Sequence, residues 1–577
     1  MTDRQSPSVE LDALLAEAAR DGGPFSTARS ARLDALEAFP AEACRVLDDF
    51  GLPRYFVPAV LGGRLDDMFE LMQLLRVVAR RDLTVAIAYG KTFLGSAPVW
   101  VAGRPEQAAW LAGQVGAATM VTWALTERHH GSDLMAGELS AAPEAHGGWR
   151  LDGQKWLINN ATRAPLVCLL ARTRVAGGAR GFTLFLVDKR QLTADSFTCL
   201  PKERTHGIRG ADISGIAFHG APLRADAVVG TAGSGIEVVL KTMQLTRTAC
   251  VSLSLGAGDH ALRLAASFIR RRGTHGRRLS ELPNVRWCLG RAATGQLLCE
   301  AVSLVAARSI HALPDEMSVV AAITKAFVPS VADEVIAQAG ELLGARAVLV
   351  DEYADGMFQK LERDHRIVGI FDGSTVVNRN GLINQFPLLA RAYGEGRWNA
   401  DGLEVAVSPS RPLPALDATR LSLLSRQGCS LVQSVPEAVR ELRQANAGIP
   451  LIEDLAQAFE AATVDVMAEL ASCRPSSREV PAEAFELAWR YELCFAGAAC
   501  LRLWLHRPAD RRHATSGGAL WRDAIWVSAC LAHVLTLLGR PADGEPAYEQ
   551  VAEVLLALNE GQSLTLLASG TDPETQP

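Results

Sequence analysis

Aromatic side chains make up only 6% of this 577-residue chain, while Ala, Leu, Val and Arg abound, the balance of a helical protein with one smaller strand-rich part. Paired cysteines are missing as well. The eleven cysteines are scattered with no C-x-x-C spacing, which removes the signature of a disulfide framework or a thiolate zinc site and fits a reducing cytoplasm. No run of about 18 consecutive apolar residues occurs, so no membrane span is expected. The opening MTDRQSPSVELDALLAEAARDGG has acids where a secretory leader carries basic and then apolar residues, so export is not expected either. Charge of one sign is never massed: 58 Lys plus Arg stand against 64 Asp plus Glu, a net charge of -6, without the basic stripe that nucleic acid needs.

What is present divides into blocks, as a length of 577 residues requires when one domain takes roughly 100 to 200. Residues 1–119 read as a helical domain, with Met68, Leu71, Leu74, Leu75 and Val78 on one face. Residues 120–230 read as a β-domain: GWRLDGQKWLIN turns at Asp152-Gly153, and LVCLLAR, GFTLFLVD and GIAFHG are short strands between breakers. Helical spacing returns at Ile236, Val239, Leu240 and Met243, giving a helical bundle domain over 231–395. Gly396 and the prolines up to Pro414 suggest a linker over 396–416. Residues 417–577 then read as a further helical domain, with Leu455, Phe459, Ala462, Val466 and Leu470 on its core face and a disordered TDPETQP tail.

Chemistry concentrates in four segments: ALTERHHGSDL from Ala124, GQKWLINNA from Gly153, RRRGTHG from Arg270 and RDHRIVGIFDGST from Arg363. Taken as residues alone, Asp372-Gly373 reads as a turn or helix-capping dipeptide before it reads as a carboxylate base. His129 and His130 read as a solvated loop, and no metal site is expected. In order and spacing the four segments resemble the acyl-CoA dehydrogenase family across about residues 30 to 395. That resemblance implies a mainly α fold with a central small β-barrel domain, an N-terminal helical domain and a four-helix bundle. The C-terminal helical extension is similar in size and position to that of very-long-chain dehydrogenases and acyl-CoA oxidases.

The resemblance also implies FAD as cofactor and assigns residues to it. Trp123, Leu125, Thr126, Gly131 and Ser132 would line the flavin, with Ser132 also near the thioester. Trp156, Ile158 and Asn159 would follow, Asn159 standing where the family has threonine and Leu157 where it commonly has an aromatic. Arg272, Thr274 and His275, with Glu341, Gly344 and Ala345, would reach the FAD of a neighbouring subunit, and Ser374 would contact FAD in place of threonine. Asp372, one methylene shorter than the family glutamate, would be the base, with Arg247 beside it and Gly373 near the substrate. The other base position known in the family falls on Thr246, which has no carboxylate.

The expected activity is α,β-dehydrogenation of an acyl thioester on CoA or acyl-carrier protein, with an electron-transfer flavoprotein or oxygen as acceptor, in a cytoplasmic homodimer. Two alternatives stand beside it: a flavin oxidase or monooxygenase, and a non-catalytic subunit. The loop HRPADRR, His506 to Arg512, reads as solvated.

Overall fold

The computed structural model describes residues 6–145, 147–444, 449–474, 479–506, 516–541, 545–559 and 562–567. The TDPETQP tail and all of HRPADRR after His506 lie outside them. Six helices come first: α1 Pro7–Glu17, α2 Thr27–Ala35, α3 Ala41–Phe50, α4 Met68–Ala79, α5 Leu83–Ala102 and α6 Pro105–Gly116. Side-chain carboxylates start two of them. Asp67 accepts from Phe69 N at 2.7 Å and Asp82 from Thr84 N at 2.9 Å, each satisfying an amide that the first helical turn leaves bare.

Eight strands follow: β1 Val121–Ala124, β2 Ser140–Pro143, β3 Trp149–Asn159, β4 Leu166–Arg172, β5 Phe182–Asp188, β6 Phe197–Leu200, β7 Ile213–Leu223 and β8 Val228–Val229. They form one sheet in the order β6-β7-β3-β2-β4-β5-β8, with β1 parallel to β4. The path has two ends, β6 and β8, instead of closing on itself.

Three long helices make the bundle: α7 Gly235–Arg271, α8 Pro283–Ala312 and α9 Met317–Leu343. A two-residue ribbon, β9 Gly273–Thr274 with β10 Arg277–Arg278, joins the first two. Shorter helices follow, α10 Met357–His365, α11 Thr375–Ile383, α12 Phe386–Glu395 and α13 Ala400–Val407. The last of these lies in the stretch expected as a linker. Its Leu403, Ala406 and Val407 are buried, and Arg308 donates to the carbonyls of Val405, Ser408 and Arg411, so 396–416 is packed against α8 and is no free tether.

The C-terminal helices are α14 Ser430–Gln433, α15 Val435–Gln444, α16 Pro450–Ser472, α17 Ala482–Leu505, α18 Ser516–Trp521, α19 Ile525–Leu537 and α20 Glu545–Ala557. The expected core face of α16 is buried throughout, Leu455, Phe459, Ala462, Val466 and Leu470 included. Trp504 stacks on Trp521 at 5.9 Å, Trp521 meets Trp526 edge-on at 5.1 Å, and Trp489 stacks on Phe327 of α9 at 5.7 Å.

One polar knot binds the first three blocks together. Asp364, fully buried on α10, accepts from Lys360 Nζ at 2.7 Å, Thr84 Oγ1 at 2.9 Å and the Ile208 amide at 2.5 Å. Lys360 also reaches Asp82 at 3.0 Å, so its ammonium is held above the usual lysine range although burial opposes it. The approach is close: a Cβ on Gly207 would lie 2.1 Å from the Arg363 carbonyl oxygen. Asp364→Ala, which strips Lys360 of its nearer carboxylate and leaves the Ile208 amide unpaired, is expected to cost roughly 3–5 kcal/mol. Urea unfolding reads this directly, and a loss under about 1 kcal/mol would put the joint elsewhere.

Candidate active site

Asp372 and Gly373 take the left-handed backbone region in succession, at φ 56° and 95°. Asp adopts this region more readily than most side chains, and Gly without penalty. Gly373 has a second reason to be glycine, since a Cβ there would meet Arg247 Nη2 at 2.8 Å. The turn is held from three helices. Arg247 Nε on α7 donates to the Asp372 carbonyl at 3.1 Å, Lys325 Nζ on α9 to the Val368 carbonyl at 2.7 Å and the Gly373 carbonyl at 3.3 Å, and Asn378 Nδ2 on α11 to the Gly373 carbonyl at 2.8 Å. With the backbone committed, the Asp372 carboxylate is half-buried and takes one protein hydrogen bond, from Thr246 Oγ1 to Oδ2 at 2.5 Å. The dipeptide is therefore a turn, and the turn presents an acid. Ser374 caps α11, accepting from Val377 N at 3.3 Å.

Cations crowd this acid. Burial pulls Arg247 below its usual range, with Asp372 opposing. Burial likewise brings Lys325 down to about 8 and lowers Lys91 of α5. Lys91 Nζ lies 3.8 Å and Lys325 Nζ 5.3 Å from the Phe371 ring centroid. The neighbouring Cys250 thiol is pushed by burial up to about 12 and stays neutral. Neither lysine was expected from the motifs. Their signal was a lone charge inside an apolar helical run, AIAYGKTFLG and AAITKAFV.

The two strand motifs are locked to each other by a buried pair that was also missed. Lys155 Nζ on β3 donates to Glu127 Oε1 at 2.7 Å and to the Leu125 carbonyl at 2.9 Å. Glu127 further accepts from the amides of Glu138 and Leu139, so its carboxyl is lowered despite burial. Thr126 Oγ1 donates to the Trp156 carbonyl at 2.8 Å. Between Trp156 and Ile158 the β3–β7 register shifts, and Leu157 sits at φ 55° and 45% exposed. Leu125 and Ile158 are buried. Among the described residues Trp123 Nε1 and Asn159 Oδ1 are buried without a partner, and Asn159 Nδ2 makes only a long bond, 3.4 Å, to the Ile87 carbonyl. Trp156 turns elsewhere, its Nε1 on Glu203 at 2.7 Å and Arg128 over its ring. Gly131 and Ser132 are exposed, with open space above Gly131.

The remaining expected residues are not brought to this place. Arg272 follows the C-terminus of α7, and the 24 residue steps from Arg247 to Arg271 span about 36 Å of helix. Arg272 and His275 are exposed there, with Thr274 half-buried on the ribbon. Glu341, Gly344 and Ala345 end α9 at the same end, where Arg346 stacks on Phe268 of α7 at 5.5 Å.

The similarities of the chain give the class of this small sheet and helix bundle. Residues 122–221 match the acyl-CoA dehydrogenase middle domain and residues 233–385 the acyl-CoA dehydrogenase C-terminal domain. A probable acyl-CoA dehydrogenase of Mycobacterium tuberculosis, fadE25, is 28% identical over 356 residues, 61% of this chain and 88% of that one. An acyl-CoA dehydrogenase complexed with FAD from Bacillus anthracis superposes with a TM-score of 0.64 at 17% identity, over 95% of this chain and 91% of its own. The prolyl acyl carrier protein oxidase AnaB gives 0.59 at 17%, over 66% and 99%. Residues 122–221 and 233–385 thus match two domains of the acyl-CoA dehydrogenase family, and the chain is an oxidoreductase.

Lys325 supplies a pH signature. Its folded value near 8 lies below that of an unfolded lysine, about 10.4, so the unfolded chain holds the extra proton between these values and stability rises with pH across that window. Denaturant midpoints of the parent, relative to Lys325→Met, are expected to climb from pH 8 to about 10.4; a flat difference contradicts the assignment.

Proposed function

We propose that this enzyme is an FAD-dependent α,β-dehydrogenase of acyl thioesters, carried on CoA or on a carrier protein, with Asp372 as the base. The observation that carries the reading is the Asp372 carboxylate: positioned by a turn held from three helices, steadied on one oxygen by Thr246, and set among Arg247, Lys325 and Lys91. The residues on the strand side fit FAD. Among the described residues Trp123 Nε1 is a buried donor without an acceptor, Asn159 Oδ1 a buried acceptor without a donor, and Leu157 an exposed apolar surface beside them in sequence. A flat heteroaromatic ring with donors and acceptors on its edge meets all three needs. Trp123, Leu125, Thr126, Ile158 and Asn159 would hold its ring and Gly131, Ser132 and Ser374 its polar parts, while Trp156, already bonded to Glu203, would support them from behind.

In the reaction the Cα–H bond of the thioester breaks and its proton passes to Asp372, while the Cβ hydrogen leaves with its electron pair and a carbon–carbon double bond forms. FAD, when bound, supplies the acceptor for that hydride. The Asp372 amide would donate to the thioester carbonyl oxygen as charge develops there. Arg247 keeps the base in place by gripping its own carbonyl.

Arg272, Thr274, His275, Glu341, Gly344 and Ala345, about 36 Å of helix away, would serve the FAD of a second copy, which makes the enzyme a homodimer or larger homo-oligomer. Electron-transfer flavoprotein is the acceptor in the leading reading. An oxidase that passes electrons to oxygen is the second, favoured by the similarity to the prolyl acyl carrier protein oxidase.

Anaerobic mixing of the yellow protein with acyl-CoA esters should bleach the flavin, and Asp372→Asn should slow bleaching by at least about 10²-fold. Equal rates in parent and variant would remove Asp372 from the chemistry. Admitting air afterwards separates the acceptors, since rapid return of colour favours the oxidase.

A further inference from the structure

The C-terminal turns of α7 carry a face that the candidate active site does not use. Arg263 and Arg270 recur on it, and with Leu264, Tyr353 and Leu555 they line a cavity of about 470 Å³ between α7, the segment before α10 and the end of α20. Seven residues complete nearly two helical turns, so the two arginines share one side of α7 about 10.5 Å apart along its axis. Burial brings the Arg263 guanidinium down to about 10, with Arg81 and Arg80 adding to the fall. Its one hydrogen bond is long, 3.4 Å to the Arg80 carbonyl, and among the described residues no carboxylate pairs with it.

Both acids that act on Arg263 from farther off, Asp12 and Asp259, are committed to other arginines. Asp12 of α1 takes Arg80 at 2.6 Å and Arg81 at 3.1 Å. Asp259, one turn earlier on α7, accepts from Nε and Nη2 of Arg76 and from Gln296. Arg81 Nε is buried without a partner among the described residues. His260, buried in the same group, is held well below its usual range by burial and then by Arg263, Lys360 and Arg81, so it stays neutral. Positive charge is therefore in excess around Arg263. Arg270 is fixed on α20, its Nη1 donating to the Leu556 and Leu558 carbonyls at 3.0 and 2.8 Å, while its Nη2 is left over among the described residues. Tyr353 is fixed too, its hydroxyl on the Leu264 carbonyl at 2.8 Å and its ring edge-on to Phe268 at 5.4 Å.

We propose that this cavity is a binding site for a small organic phosphomonoester, with its phosphate on Arg263 and Arg270 and its organic part against Leu264, Tyr353 and Leu555. A phosphomonoester brings between one and two negative charges and three acceptor oxygens at neutral pH, and guanidinium forks match those oxygens in geometry. Inorganic phosphate would answer the charge and leave the apolar wall uncovered; an uncharged apolar molecule would do the reverse. The site is separate from the acid turn, since Arg263 lies about 24 Å along α7 from Arg247, and it does not depend on the dehydrogenase reading. A ligand held there touches α7, the segment before α10 and α20 together, and so ties the C-terminal extension to the bundle.

The test titrates the FAD-loaded full chain, in chloride buffer of low ionic strength, with phenyl phosphate, inorganic phosphate and benzyl alcohol, reading Kd by calorimetry. Phenyl phosphate should bind at least about tenfold more tightly than either of the others, because only it meets both the charge and the wall. Arg263→Met should weaken it by a similar factor, and so should Leu555→Trp, which fills the cavity without touching a charge. Melting curves and flavin content check that both variants fold; if Arg263→Met does not, the probe ratio and Leu555→Trp decide. Phenyl phosphate held no more tightly than inorganic phosphate, or held as well by either folded variant as by the parent, overturns the proposal. Binding seen only after FAD is removed overturns it as well, since the cavity would then belong to the flavin of a second copy.

Discussion

A carboxylate with no exposure to water, Asp364, decides where the acid turn stands. Its three hydrogen bonds come from α10 itself, from the start of α5 and from the loop before β7. Alone, such a charge would cost several kcal/mol to bury; shared among Lys360, Thr84 and the Ile208 amide it becomes a joint that tolerates little displacement. The chain leaves this joint at His365, itself bonded to Ser254 of α7, and reaches Asp372 seven residues later. Sheet, first helical block and bundle are thus aligned within one short segment of the candidate base.

The helices after residue 417 reinforce the same place from the opposite side. Glu492 of α17, buried and pushed up to about 7 by desolvation although Arg379 opposes the rise, grips Arg379 of α11 through both its oxygens. Arg379 also lies over Trp489. Since α11 begins at Thr375, immediately after the acid turn, the extension steadies the turn from behind. A second tie runs to the core of the bundle, where Glu300 accepts from Arg76 of α4 and from Thr565 and Leu566 near the C-terminus. The extension is a structural partner of the site, joined to it through buried charge.

At the turn itself two demands coincide. A left-handed residue next to glycine and a half-buried carboxylate accepting from Thr246 are both met by Asp372, and the cost of the backbone conformation is carried by Arg247, Lys325 and Asn378. An acid one methylene shorter than glutamate reaches less far, and about 1 Å of misplacement can cost on the order of 10² in rate. A turn held from three helices is the kind of support such a short acid requires.

The order of modules, the buried faces of α4 and α16 and the four motif segments were legible in the sequence, because periodicity records which side of its own element a residue must hide. The alignment of Glu127 with Lys155 was half-legible: Lys155 occupies an inward position of the strand, but nothing local names its counter-ion. The sequence alone determined that Asp372 stands beside Gly373 and that Thr246, which has no carboxylate, precedes Arg247. Only the tertiary structure decided that Lys91 and Lys325, 234 residues apart, flank Phe371, that the segments around Arg272 and Glu341 stand far from Asp372, and that 400–407 is a packed helix. The physical reason is that a charge's environment is set by how elements cross in space, and the crossing depends on the shapes of both partners, which no single stretch of chain contains.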